Sequence, residues 1–327
     1  MNEAVNFPDK VREAYGRIHA DIRRTPIERS EPLSRETGAN VYIKWECDQI
    51  TGSFKLRGAL NKLRSLSEED RGRGVVSAST GNHGLAISHA ARLEGIGLKL
   101  FLPETVAEVK KKRIEAMGVD VEVRGASCDK AEMIAREFAD QTGRVFVSPY
   151  NDWDIVFGAG TVGLELAGDL SRFDDVLVPV GGGGLVAGIA GYLKAVRPEA
   201  RMVGVEPETS AFMAASVAAG RLVEIDEKET IADAVAGGIE PGAITFPLCR
   251  DLVDFLEVVP ESLIARSLAL VHDHHGRMIE GAGALAFAAL LHSPAKWAGR
   301  TIVAVVSGGN IAPERFRAVT GLRHDAG

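Results

Sequence analysis

Cysteine is scarce in this chain: Cys47, Cys128 and Cys249 are few, far apart and odd in number. That argues against a disulfide scaffold or a zinc site and fits a reducing cytoplasm. Positive charge is not in surplus either, with 38 Lys and Arg against 45 Asp and Glu and a net charge of −7. A nucleic-acid partner needs a basic face, so none is expected. The opening stretch, Met1 to Lys10, has no apolar leader. The most apolar glycine-rich stretch, Val176 to Leu193, is broken by Pro179 and six glycines. It reads as a buried strand, loop and helix, not a membrane span. Repeats and low-complexity tracts are missing too. The remainder is 327 residues, 46% hydrophobic and 25% charged, an ordinary globular composition sized for two domains or one large α/β unit.

Strand-like and helix-like patterns alternate almost throughout. Val41 to Trp45, Gly74 to Ser77, Leu98 to Leu102 and Val119 to Val123 read as strands, as do Asp175 to Val180, Met202 to Val205 and Thr301 to Val306. Between them Ser53 to Leu66, Asn82 to Leu93, Val106 to Met117, Cys128 to Asp140 and Gly184 to Val196 read as helices. Pro260 to His275 and Gly283 to Leu291 complete the helical set. Such alternation predicts parallel sheets covered by helices on both faces. A break in the pattern at Ser148 to Trp153 marks the expected domain boundary.

Three glycine-rich stretches each follow an apolar strand: Ser79 to Gly84, Gly181 to Gly184, and Ser307-Gly308-Gly309-Asn310. In open α/β sheets ligands gather at the carboxyl ends of strands. Gly181 to Gly184 lies between a strand and a helix, where amide groups and the helix N-terminus suit a phosphate. It lacks the Lys-Ser/Thr ending of a nucleotide P-loop, and its simplest alternative is a flexible turn. A second alternative is a dinucleotide fingerprint, Gly182-x-Gly184-x-x-Ala187, with Glu206 as the ribose acid of an NAD-dependent dehydrogenase. Lys55, in Gly52-Ser53-Phe54-Lys55-Leu56-Arg57-Gly58, would by itself be read as a surface lysine. In the company of these loops it reads as an amine able to form a Schiff base once burial lowers its pKa. An aldehyde with a phosphate handle, pyridoxal 5'-phosphate, satisfies both features. Ser79 and the amides after it could hold a carboxylate, Asn82 could bond a phenolic oxygen, and Ser307 could meet a ring nitrogen. His272, His274 and His275 lack a partner carboxylate at a diagnostic spacing, and no metal is assigned to them.

Together these motifs, with Thr230-Ile231-Ala232-Asp233 and Ile279-Glu280-Gly281-Ala282-Gly283, resemble the fold-type II pyridoxal-phosphate enzymes. Within that family the chain looks like the threonine/serine dehydratase and serine racemase branch, from about Arg24 to Asn310. The resemblance implies an α/β fold of two open, mostly parallel sheets flanked by helices, similar to the tryptophan synthase β subunit. It implies a large cofactor-binding domain from 1–67 and 151–327 and a small substrate-closing domain from 68–150. It implies that Lys55 is catalytic, carrying the cofactor and then moving the substrate's α-proton. Phe54, Asn82, Gly181, Gly182, Gly183, Gly184, Glu280 and Ser307 would complete the cofactor site. Ser79, Thr80, Gly81 and His83 would surround the substrate carboxylate, with Thr80 as a second catalytic candidate.

The implied reaction converts L-threonine or L-serine to a 2-oxo acid and ammonia, in a cytoplasmic homodimer with no membrane partner. Serine racemase, hydroxyaspartate dehydratase and a hydroxyectoine-catabolism dehydratase are the related alternatives. Three departures stand out. Thr80 replaces the racemases' serine, and Phe212 replaces a metal-binding aspartate, so no metal site is expected. Ala234 replaces a glycine after Ala232-Asp233. Little sequence follows Ser307, so feedback through a C-terminal regulatory domain is not expected.

Overall fold

The computed structural model describes residues 5–322; Met1 to Ala4, where the stretch inspected for a leader begins, lie outside them. Ten strands form two sheets: β1 (Ile27–Arg29), β2 (Asn40–Trp45), β3 (Val75–Ala78), β4 (Leu98–Leu102), β5 (Asp120–Val123), β6 (Val145–Phe146), β7 (Asp175–Pro179), β8 (Arg201–Pro207), β9 (Phe255–Val259) and β10 (Thr301–Val306). The larger sheet runs β1-β2-β10-β7-β8-β9 and the smaller β5-β4-β3-β6. Every pairing is parallel except that of β1 with β2.

Parallel strands covered on both faces should be apolar without alternation, and β7 is buried at every position. The helix Gly281–His292 covers one face of the large sheet, buried at every residue but its last. On the other face lie helices Trp153–Asp169 and Gly184–Val196. The helix Lys55–Ser65 joins the two units. Its Leu56, Ala59, Leu60 and Leu63 are packed into the core of the small sheet with Leu85, Ala86 and Ala90. Each such buried leucine contributes about 1.5–3 kcal/mol, which fixes the register of Lys55 at the edge between the sheets.

Leu98–Leu102, Gly184–Val196 and Thr301–Val306 have the limits read from sequence. The helix expected over Val106 to Met117 is shorter, Glu108–Glu115, because Val106 N–H instead closes a turn on Pro103 O at 3.0 Å. The strands β1, β6 and β9 and the helices Phe7–Ile18 and Trp153–Asp169 were not expected.

Candidate active site

Strand order creates the site. β2, β10 and β7 are parallel neighbours, so the segments leaving their carboxyl ends emerge side by side. β2 leads towards Lys55, β10 into Ser307, and β7 into the tetraglycine loop. Main-chain bonds hold the first two together: Phe54 N–H donates to Ser307 O at 3.0 Å and Gly309 N–H to Gly52 O at 2.9 Å. The cleft between the three segments measures about 450 Å³ with its open mouth. Phe54, Lys55, Asn82, Gly181 to Gly184, Glu280 and Ser307 all line it, beside Tyr150 and Ala234.

Lys55 Nζ donates to Pro149 O at 2.8 Å and lies 5.1 Å from the centre of the Phe54 ring. Burial pushes its pKa down to about 8, with the carboxylate of Glu280 opposing. Glu280 is buried and accepts from Asn82 Nδ2 at 2.6 Å. Burial pushes its pKa up to about 7, and the hydrogen bond from Asn82 restrains that rise. Ser307 Oγ makes no hydrogen bond among the described residues, although Ser307 is 4% exposed, and it is left to a ligand.

The glycine loop is packed tightly on its outer side. A Cβ at Gly182 would lie 2.5 and 2.6 Å from Tyr150 Cδ1 and Cδ2. Gly183, with φ +85°, stands at the N-cap of the helix Gly184–Val196, a conformation that disfavours any side chain. The N–H groups of Gly181, Gly182 and Gly183 donate to no acceptor among the described residues. A phosphate would supply those acceptors beside a helix N-terminus. With a lysine amine that has no carboxylate partner and a serine hydroxyl in the same cleft, the residues fit pyridoxal phosphate.

The expected substrate loop joins β3 to the helix Asn82–Glu94. Ser79 and Thr80 line a separate cleft of about 290 Å³, beside Phe101, Cys128, Asp129 and Glu132. Gly81 N–H turns back to Ser79 Oγ at 3.3 Å. The imidazole of His83 is buried, with Nε2 3.1 Å from Ser77 Oγ and 3.3 Å from Val147 O. Burial, aided by the charge of Lys55, pushes its pKa down to about 3, so the ring is neutral.

Glu206 is also accounted for. Its carboxylate accepts from Met213 N–H at 2.9 Å and Ala214 N–H at 2.7 Å, closing the start of the helix Phe212–Ala219. It is 1% exposed, so the ribose contact required of a dehydrogenase has no free acid here.

Sequence reading missed several contributors. Tyr150 braces the glycine loop and its hydroxyl accepts from Glu240 N–H at 2.9 Å. Two residues after Lys55, Arg57 is fully buried and bonds Glu46 Oε2 at 2.8 Å and Glu165 Oε1 at 2.7 Å. Lys44 Nζ joins Glu165 Oε2 at 2.7 Å. This neutral quartet anchors the first turn of the Lys55 helix. The one signal for its position in sequence was Asp152, a cap residue whose side chain accepts from Asp154 N–H at 2.7 Å and starts the helix bearing Glu165.

Residues 18–308 match the family described as "Pyridoxal-phosphate dependent enzyme". The chain is 39% identical over 303 residues to the L-threonine ammonia-lyase of Thermotoga maritima, covering 93% of this chain and 75% of that protein. It is 36% identical over 316 residues to the L-threonine dehydratase catabolic TdcB of Escherichia coli K12, covering 96% of each. The solved structure of maize serine racemase superposes with a TM-score of 0.89 at 33% identity, over 94% of both chains.

Proposed function

Because the chain belongs to the pyridoxal-phosphate-dependent enzymes, we propose that it is a dehydratase and ammonia-lyase for a small β-hydroxy amino acid, L-threonine or L-serine. The observation that carries this reading is the half-buried Lys55 amine, without a carboxylate partner in the cleft that also holds the orphan glycine amides and the Ser307 hydroxyl. The relatives named for threonine ammonia-lyase and dehydratase activity support the substrate class.

When bound, pyridoxal phosphate supplies the electron sink that makes the substrate's α-carbon acidic. The amides of Gly181, Gly182 and Gly183 would hold its phosphate, and Ser307 Oγ would be the partner of its ring nitrogen. A serine hydroxyl does not keep that nitrogen protonated as an aspartate would. Prompt loss of a β-substituent is then favoured over transamination. Lys55 Nζ takes the α-proton and is the acid at hand for the departing hydroxyl. The Cβ–O bond breaks, a Cα–Cβ double bond forms and water leaves. The freed enamine tautomerises and takes up water, giving a 2-oxo acid and ammonium.

The same reading has the unit from 68–150 close over the substrate and exclude water. It also has the protein acting as a homodimer in the cytoplasm, on the resemblance and on the three free cysteines. The test is a panel of L-threonine, L-serine and hydroxyaspartate in both enantiomers, with 2-oxo acid and ammonia measured together. Lys55→Ala is expected to lose ammonia release by on the order of 10³-fold. Full activity in that variant, or no release from any β-hydroxy amino acid, would refute the proposal.

A further inference from the structure

Arg113 and Glu280 stand at opposite ends of one hydrogen-bond chain. Arg113 lies on the exposed side of the helix Glu108–Glu115, and its Nη2 donates to Asn310 Oδ1 at 2.8 Å. Asn310 Nδ2 donates to Asn82 Oδ1 at 2.6 Å and to Thr51 O at 2.9 Å. Asn82 Nδ2 then donates to Glu280 Oε1 at 2.6 Å. A guanidinium can only donate, which sets the polarity of the whole chain from the Arg113 end. Both amides between them must therefore turn oxygen towards Arg113 and nitrogen towards Glu280. One proton on Asn82 Nδ2 is committed to Glu280, which leaves the second as a donor at the cleft wall.

The chain also crosses between the two units of the fold. Arg113 and Asn82 belong to helices flanking the small sheet, while Asn310 and Glu280 follow or precede elements of the large one. Its polarity is complete only when both units are together.

We propose that Arg113 is a positioning residue for this site. Through Asn310 it holds Asn82 with its amide nitrogen presented as donor to the cleft, and it does so only while its helix is docked on the large unit. This rests on the reading above, in that Asn82 faces the bound cofactor. A surface arginine is otherwise worth little, but donors and acceptors in one polarised chain reinforce one another.

Three variants of the holoenzyme test the proposal. Arg113→Ala is expected to lower kcat about tenfold, the scale of a charge-assisted hydrogen bond, with KM little changed and the absorbance and emission of the bound cofactor shifted. Arg113→Lys keeps a donor and should recover most of both signals. Asn310→Asp still pairs with Arg113 but cannot donate to Asn82, so it should lose as much as Arg113→Ala. If Arg113 merely docks its helix, Asn310→Asp strengthens that contact and retains full activity, which overturns the relay. An unchanged spectrum and kcat in Arg113→Ala overturns it as well. Arg113 is exposed, so its variants are expected to melt with the parent. Should the parent release no ammonia from any β-hydroxy amino acid, the assigned reaction fails, while the cofactor spectra of Arg113→Ala and Asn310→Asp still decide the relay.

Discussion

A lysine forms an imine only from its neutral amine, so the proton equilibrium of Lys55 sets how fast the apoprotein captures its aldehyde. Burial takes that pKa from 10.5 to about 8. At pH 8 half of the amine is neutral, against roughly 0.3% for an ordinary lysine, a gain of roughly 150-fold. The assay mixes apoprotein with pyridoxal phosphate in a stopped-flow cell between pH 6 and 10 and follows the chromophore, with a lysine peptide as reference. Relative to the peptide, capture should be fastest near neutrality, and its absolute rate should climb with pH and level off above about 8. Glu280 opposes the shift, so Glu280→Gln should move the midpoint further down. A rate that climbs unbroken to pH 10, or a midpoint that rises in the Gln variant, refutes the argument. The sign has a thermodynamic counterpart. Between pH 8 and 10.5 the unfolded chain keeps a proton at this site that the folded apoprotein has released. The contribution of Lys55 to apoprotein stability therefore rises with pH across that window.

Two further outcomes follow from packing. Gly182→Ala would set its Cβ 2.5 Å from Tyr150 Cδ1, an overpacking cost of about 1–3 kcal/mol. Titration of apoprotein with pyridoxal phosphate should show the affinity falling by roughly 5- to 150-fold, with the fold retained. Arg57→Ala would strand the buried carboxylate of Glu46 and leave that of Glu165 with Lys44 alone. Unfolding by urea should register a loss of about 3–5 kcal/mol, and capture of the cofactor should weaken with it because the first turn of the Lys55 helix loses its anchor.

Local chemistry was legible where residues act near their own strand. The glycine loop, Ser307 and Lys55 follow apolar strands, and that placement predicted a ligand edge before any contact was known. Strand order was not legible: nothing local says that β10 inserts between β2 and β7 and so brings Lys55 beside both loops. The helix Trp153–Asp169 escaped because its glycines depress helix propensity. Tertiary packing overrides that tendency, since a Cβ at Gly158 would lie 2.5 Å from Arg57 O. Losing that helix meant losing Glu165, and with it the reason for Arg57 to be buried. Ser79 and Thr80 were visible as a motif, but the second cleft that they line depends on how the small sheet packs.

The contrast between Lys44 and Lys55 shows why the site is chemical rather than structural. Lys44 is fully buried, and its ammonium meets Glu165 Oε2 at 2.7 Å and Thr25 O at 2.8 Å. Its charge is matched within a quartet of two cations and two carboxylates. Lys55 has one neutral acceptor, Pro149 O, and the nearest influential carboxylate, Glu280, accepts its hydrogen bond from Asn82 instead. Burial without a matching charge favours the neutral form. The fold thus closes one cationic site and leaves the other unsatisfied, at the junction of three strand ends where an aldehyde and a phosphate would complete it. A desolvated amine without a matching charge raises the energy of the apoprotein, and the cofactor's covalent capture relieves it. The arrangement predicts that the apoprotein is markedly less stable than the holoenzyme, by more than Lys55→Ala apoprotein differs from its own cofactor-soaked form in calorimetry.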